Sequence, residues 1–258
     1  MEVRLEHISK TYLRGRDAVV AVDGVSFTVH SGEFVALLGP SGCGKSTLLM
    51  IVGGLLAPSA GQVEFHGQAG DRRTTAMVFQ DFALFPWRTI LHNIAFGLEV
   101  RGLPRADRLR RARELVRTVG LDGFEDRYPR ELSGGMRQRA GMARAFAVDP
   151  AVLLMDEPLS ALDAQTRDLM QDELLLLCER QRRTVLYVTH NIHEAAYLAD
   201  RIVLLSRRPG RVRAILPVPL GRPRDERMQA SPEFLEFSHE IWAMVKDEAR
   251  AAMAERSA

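Results

Sequence analysis

The chain has 258 residues, 46 % of them apolar and 26 % charged, with a formal charge of +2. That length allows one large domain or two small ones with a sizeable core, and so small a charge gives no case for a nucleic-acid partner. Cys43 and Cys178, the only two cysteines, form neither a zinc spacing nor a disulfide framework, which makes a reducing compartment the default. The region after Met1 is polar and strand-like rather than a signal peptide. The longest apolar runs fall short of the roughly 18 residues of a membrane span. The expectation is a soluble chain, able to dock on something that is not.

In chain order, Met1 to Ile8 alternates as a strand, followed by Lys10-Thr11-Tyr12 and a turn around Arg14 to Asp17. Val19 to Val29 reads as a strand or hairpin broken at Asp23-Gly24. Phe34 to Leu38 is an apolar, buried strand, and Leu48 to Val52 begins a helix that Gly53 and Gly54 end. Short strands follow at Val63 to His66 and Thr75 to Phe79, the second delivering Gln80. Phe82 to Thr89 is apolar but irregular, and Ile90 to Leu98 is helical. In Pro104 to Val119, Leu109, Ala112, Leu115, Val116 and Val119 recur at helical spacing with arginines between them, a solvated amphipathic helix. Met136 to Ala147 is a helix stopped by Asp149-Pro150.

Val152 to Met155 is apolar on both faces, as parallel sheets require. A long helix capped by Asp163 runs from Ala164 to about Arg182. Thr184 to Val188 is the next strand, ending at Thr189-His190. Asn191 to Leu198 is helical, and Arg201 to Leu205 is the last core strand. Beyond Ser206 the chain turns basic and polar, with Phe234, Phe237, Ile241, Trp242 and Val245 on one helical stripe.

The stretch that organises these elements is Gly39-Pro40-Ser41-Gly42-Cys43-Gly44-Lys45-Ser46-Thr47, set between a strand and a helix. Glycines let its backbone wrap an anion and turn its amides inward, and the helix N-terminus adds unpaired N–H groups. Lys45 is placed to reach β- and γ-phosphates, and Ser46 to offer a hydroxyl to Mg²⁺. Asp156-Glu157 closes an apolar strand, at the sheet edge where α/β proteins bind ligands. There Asp156 would hold Mg²⁺ and Glu157 would orient and activate the attacking water. His190 ends another strand and reads either as a site residue or as a packed histidine. Gln80 has an amide suited to bridge metal, water and a neighbouring loop. Tyr12 offers a ring face to a base, or is an ordinary surface aromatic.

With these residues together, the chain resembles the nucleotide-binding subunit of an ABC transporter through almost all of its length. Gly39 to Thr47 matches the Walker A loop, Gln80 the Q-loop, and Val152 to Glu157 Walker B with its catalytic glutamate. Leu132-Ser133-Gly134-Gly135-Met136 is similar to the signature sequence, with Met136 where glutamine is commonest, and Arg137-Gln138-Arg139 follows it. Ser160-Ala161-Leu162-Asp163 matches the D-loop, His190 the switch histidine and Tyr12 the adenine-stacking aromatic.

The resemblance implies an α/β P-loop fold with a mixed central sheet, an antiparallel N-terminal β-subdomain and an inserted helical subdomain. It places the ATPase domain at residues 1–220, the helical insertion at about 88–150, and a helical tail packed on the domain at 221–258. It implies ATP and Mg²⁺ as ligands. It also implies that Ser133, Gly134 and Gly135 close over ATP held by a second copy of the chain, so that the working unit is an ATP-dependent dimer.

Phe79 to Trp87, Pro209-Gly210-Arg211 and Ser231-Pro232-Glu233-Phe234 resemble the ATPases of nitrate, sulfonate, taurine and bicarbonate importers. That likeness implies a peripheral protein on the cytoplasmic face of the inner membrane, powering import of a small anion such as sulfonate, taurine or nitrate. Its partners would be integral permease subunits and, indirectly, a periplasmic or extracytoplasmic substrate-binding protein, with no nucleic acid. Phe85, Pro86 and Trp87 read either as the permease contact or as local packing. An exporter subunit is the alternative function; a soluble, non-transport ABC ATPase is a more distant one.

Overall fold

The computed structural model describes residues 1–15, 17–67, 75–181 and 183–256. Arg182, the expected end of the long helix, and Arg16, within the expected first turn, lie outside them. Along the chain run β1 (Glu2–Arg14), β2 (Asp17–Val29), β3 (Phe34–Leu38), α1 (Lys45–Val52), β4 (Ala60–His66) and β5 (Thr75–Val78). Then come α2 (Ile90–Val100), α3 (Arg105–Thr118), α4 (Gly134–Ala147), β6 (Val152–Asp156) and α5 (Ala164–Gln181). The chain ends with β7 (Thr184–Val188), α6 (Ile192–Leu198), β8 (Arg201–Leu205), β9 (Val212–Pro217) and α7 (Pro232–Arg256). The chain divides into two units, Met1–Gln68 with Gln171–Ala258, and Ala69–Met170.

In the first unit β2, β1 and β4 form an antiparallel sheet. The break expected at Asp23-Gly24 is a bulge inside one continuous strand. Ile8 pairs with Val25 and Lys10 with Val22, so two residues of β2 face one of β1. Gly24 takes the left-handed conformation there, and its N–H donates to Ser9 Oγ at 2.9 Å. Such a bulge bends a strand without ending it. β1 likewise runs on past Ile8.

A second, mixed sheet places β3 between β7 and β8 in parallel, with β9 antiparallel to β8. Every residue of β3 and β7 is buried, which accounts for their unbroken apolar runs. β9 was not foreseen: its burial alternates, but Val-Arg-Ala-Ile-Leu-Pro does not alternate apolar with polar side chains, since Ile215 lies on the exposed face. On α7, Phe234, Phe237 and Ile241 are buried, and the Phe234 ring lies 5.6 Å from that of His193. Trp242, expected on the same stripe, is instead 53 % exposed with Lys246 Nζ over its ring.

In the second unit β5 and β6 pair in parallel. α2, α3 and α4 enclose a core that includes Ile90, Ile94, Leu98, Ala112, Val116 and Ala143. The buried face of α3 carries Ala112 and Val116, whereas Arg110 lies outside and pairs with Asp107 and Glu114. The architecture is thus the α/β fold expected, with an antiparallel N-terminal β-subdomain, a mixed sheet and a helical subdomain.

Two of the aromatic residues of α7 provide a check. Phe234→Ala removes a fully buried ring and should cost about 3–5 kcal/mol. Trp242→Ala should stay within about 1 kcal/mol. Denaturant unfolding followed by circular dichroism compares them, and equal losses would contradict the burial of the helix.

Candidate functional site

In the first unit the loop after β3 enters α1 through Gly44, which has a φ of 98°. A Cβ there would lie 2.4 Å from Val22 Cγ1, so glycine is required both by conformation and by the packing of β2. No side chain caps α1, so the positive end of its dipole faces the loop, where an anion would sit. Lys45 is only 5 % exposed, and its Nζ donates to the carbonyls of Gly39 at 2.7 Å and Pro40 at 3.0 Å. These partners are neutral, so they satisfy the ammonium's hydrogens without cancelling its charge. Cys43 Sγ lies 3.9 Å from the same atom. Burial pushes the Cys43 thiol up, with Lys45 pulling the other way, so the sulfur is a neutral packing group.

Ser46 and Thr47 follow in the first turn of α1. Tyr12 Oη is 3.3 Å from Thr47 Oγ1, which holds a part-exposed ring beside the loop. His190 is exposed, just beyond β7. Its neighbours are organised by Glu194, a buried carboxylate on α6 that accepts from Tyr187 Oη at 3.0 Å and Thr189 Oγ1 at 2.8 Å.

In the second unit β6 ends at buried Asp156. Glu157 follows with a φ of 46°. A non-glycine residue in that region marks strain held by its surroundings. Ser133 caps α4, accepting from the Met136 N–H at 3.3 Å, and Gly134 and Gly135 open the helix. A Cβ on Gly134 would meet nothing within 4 Å, whereas one on Gly135 would come 2.9 Å from Leu162 Cδ2. Within the loop Ser160 to Asp163, Leu162 is buried, and Asp163 caps α5 through Thr166. Its hydrogen bonds from the Thr166 N–H and hydroxyl hold the Asp163 carboxyl below the usual range. Gln80 is exposed, two residues past β5.

Phe85 is half-buried, stacking edge-on against Phe96 at 4.6 Å, while Pro86 is exposed and Trp87 is 71 % exposed. The turn is held by the buried amide of Asn93. Its Oδ1 accepts from the Phe85 N–H at 2.7 Å, and its Nδ2 donates to the carbonyls of Phe85, Arg88 and Thr89.

Sequence reasoning did not single out Asn93, Glu194 or the contact made by Gly210. The Gly210 N–H donates to the Ala21 carbonyl at 2.9 Å, and its carbonyl accepts from the Asp23 N–H at 3.0 Å. A Cβ there would lie 2.0 Å from the carbonyl oxygen of Cys43. The available signal was the Pro209-Gly210-Arg211 turn itself, since a glycine often marks a close backbone approach. Gly210→Ala should therefore push the phosphate loop out of place and weaken ATP binding by about 1–3 kcal/mol. Calorimetry with ATP and Mg²⁺ measures this; full affinity would mean that the contact does not shape the loop.

Comparison with known proteins places this geometry in a family. Residues 22–160 match the family model described as ABC transporter. An uncharacterized ABC transporter ATP-binding protein of Methanocaldococcus jannaschii is 46 % identical, over 96 % of this chain and 92 % of its own. The nitrate import ATP-binding protein NrtD of Synechocystis is 39 % identical, over 95 % and 96 %. The taurine import ATP-binding protein TauB of Burkholderia pseudomallei is 48 % identical, over 80 % of each chain. Among solved structures, the ATP-binding cassette MJ0796, in a dimeric post-hydrolysis state with ADP and Pi, superposes with a TM-score of 0.78 at 33 % identity. That match covers 85 % of this chain and all of the other. The chain belongs to the ABC transporter family, as an ATP-hydrolysing, ATP-binding subunit related in sequence to nitrate and taurine import ATPases.

Proposed function

We propose that this subunit drives import of a small anion, sulfonate, taurine or nitrate being the class, by hydrolysing ATP in a dimer docked on membrane permease subunits. The observation that carries the ATP chemistry is the phosphate loop: the start of α1, capped by no side chain, beside a buried ammonium held by neutral carbonyls. In this reading residues Gly39 to Thr47 bind the phosphates, and Lys45 exchanges its carbonyl partners for phosphate oxygens. Tyr12 stacks on the base. Ser46 and Asp156, with Gln80, supply hard oxygen donors of the kind Mg²⁺ takes. When bound, Mg²⁺ would neutralise phosphate charge. Glu157 orients the attacking water and receives its proton, and His190 holds the region of the γ-phosphate. Ser133, Gly134 and Gly135 close over ATP bound by the second copy, with Ser160 to Asp163 at the dimer contact.

Import is supported by the extent of the likeness to NrtD and TauB, both import ATP-binding proteins by name. Among the described residues no helix is long and apolar enough to cross a membrane, so translocation falls to partner subunits. An apolar recess of about 350 Å³, with Met77, Phe79, Phe85, Phe96 and Val148 in its lining, adjoins the exposed Trp87 turn. In this reading it receives apolar side chains from a helix presented by a permease.

Glu157→Gln keeps shape and hydrogen bonding but removes the basic carboxylate and its negative charge. ATP binding should be normal or tighter, turnover should fall by about 10²-fold or more, and the variant should sediment as a dimer with ATP and a monomer without it. Adding Ser133→Arg should abolish the dimer while leaving ATP bound. Near-normal turnover would remove Glu157 from the chemistry, and a monomer at saturating ATP would remove the two-copy site. Trp87→Ala should lower transport per ATP hydrolysed in reconstituted vesicles; unchanged coupling would return Trp87 to local packing. Ligand screening on the cognate substrate-binding protein tests the anion class.

A further inference from the structure

Gln138 lies on α4, a little over one turn from Ser133, and is only 1 % exposed. Ala140, Gly141 and Ala143 are also buried on this helix, so a long amide among them must be paired to be tolerated. Both of its ends are paired. Nε2 donates to the Glu157 carbonyl at 3.3 Å, and Oε1 accepts from the Ala161 N–H at 3.2 Å. The same Glu157 carbonyl accepts from Ser160 Oγ at 2.9 Å and from the Ser160 N–H at 3.2 Å. The side chain therefore spans a turn whose first residue has a left-handed backbone. One helical turn earlier, Gly135 seats against Leu162 with no room for a Cβ. The helix that begins at Ser133 is tied to residues 157–162 at both points.

We propose that Gln138 is a positioning residue for hydrolysis: its amide holds the Glu157 backbone in the turn that aims the carboxylate, and couples that turn to the N-terminal half of α4. The proposal rests on the reading of Glu157 as the hydrolytic carboxylate. Gln138 acts through Glu157, not on nucleotide. A left-handed glutamate persists only where its surroundings hold it, and the Nε2 donor is one of those holds. The paired bonds to Glu157 and Ala161 also make this turn follow any movement of the helix start, so engagement at Ser133 is transmitted to the carboxylate.

Two variants of the full chain separate the two ends of the amide. Gln138→Glu keeps an acceptor for the Ala161 N–H but loses the donor to Glu157, and Gln138→Leu loses both. Both should bind ATP at full stoichiometry with KM within about threefold of the parent, while kcat falls about tenfold or more. Hydrogen exchange should show a protected Ala161 amide in the parent and in Gln138→Glu, and a fast one in Gln138→Leu.

Turnover per bound ATP within about twofold of the parent in both variants would overturn the proposal. So would a fast Ala161 amide in the parent, a measurement that needs no variant to fold. If Gln138→Leu does not fold, the isosteric Gln138→Glu and the parent exchange decide. An active Glu157→Gln with a protected Ala161 amide would remove the catalytic reading alone. An inactive Glu157→Gln beside active Gln138 variants would remove the tether alone.

Discussion

The loops that carry the chemistry leave strand or helix ends with backbone N–H and C=O groups that no ladder pairs, and burying such a group unpaired costs about 1–3 kcal/mol. This chain meets that constraint with long polar side chains folded back onto the loops. Lys45 takes the carbonyls of Gly39 and Pro40, and Asn93 takes three carbonyls and an amide between Phe85 and Thr89. Arg144 donates to the carbonyls of Phe82 and Ala83. Gln138 serves the Glu157 carbonyl and the Ala161 amide. Each of these groups sits on a helix, so a rigid element sets the shape of a loop that has no regular structure of its own.

The same demand explains why α4 carries so many small residues. Gly135 and Gly141 let its backbone approach neighbouring segments closely: Gly135 meets Leu162, and a Cβ on Gly141 would lie 3.3 Å from the Phe82 carbonyl. At such spacing a glutamine or arginine on the helix reaches the backbone of the next loop directly. α4 consequently presents Ser133 at one end, supports the Glu157 turn from its middle, and holds the segment after Gln80 from its last turns. Its core face toward α2 and α3 is apolar, so the helical packing fixes where these polar arms start.

Close approach governs the phosphate loop as well. Gly44 accepts Val22 on one side, and Gly210 presses against Cys43 on another, from a turn more than 150 residues away in sequence. The loop's shape is set by β2 and by the turn before β9 as much as by its own glycines. Asp23 joins the two: its N–H donates to the Gly210 carbonyl and its carboxylate pairs with Arg211 at 2.6 Å. A phosphate site built this way holds its amides in place before any anion arrives, which is the condition for electrostatic preorganisation.

The parallel strands of the central sheet, the phosphate loop, the acidic pair at the end of β6 and the capped helix starts were legible in the residues, because each depends on neighbours within a few positions. Phe34 to Leu38 reads as a buried strand from its own side chains, and Gly42, Gly44 and Lys45 carry their conformational meaning locally. Only the tertiary structure decided what Gln138 and Gly210 do, because their partners lie elsewhere in the chain or their value lies in what a side chain would strike. It also decided that Trp242 faces out while Phe234 and Ile241 face in: helical spacing put them on one broad stripe, and the surface that α7 meets is narrower than that stripe. Local spacing specifies which backbone forms; which polar arm reaches which loop is a matter of close packing between segments that spacing does not relate.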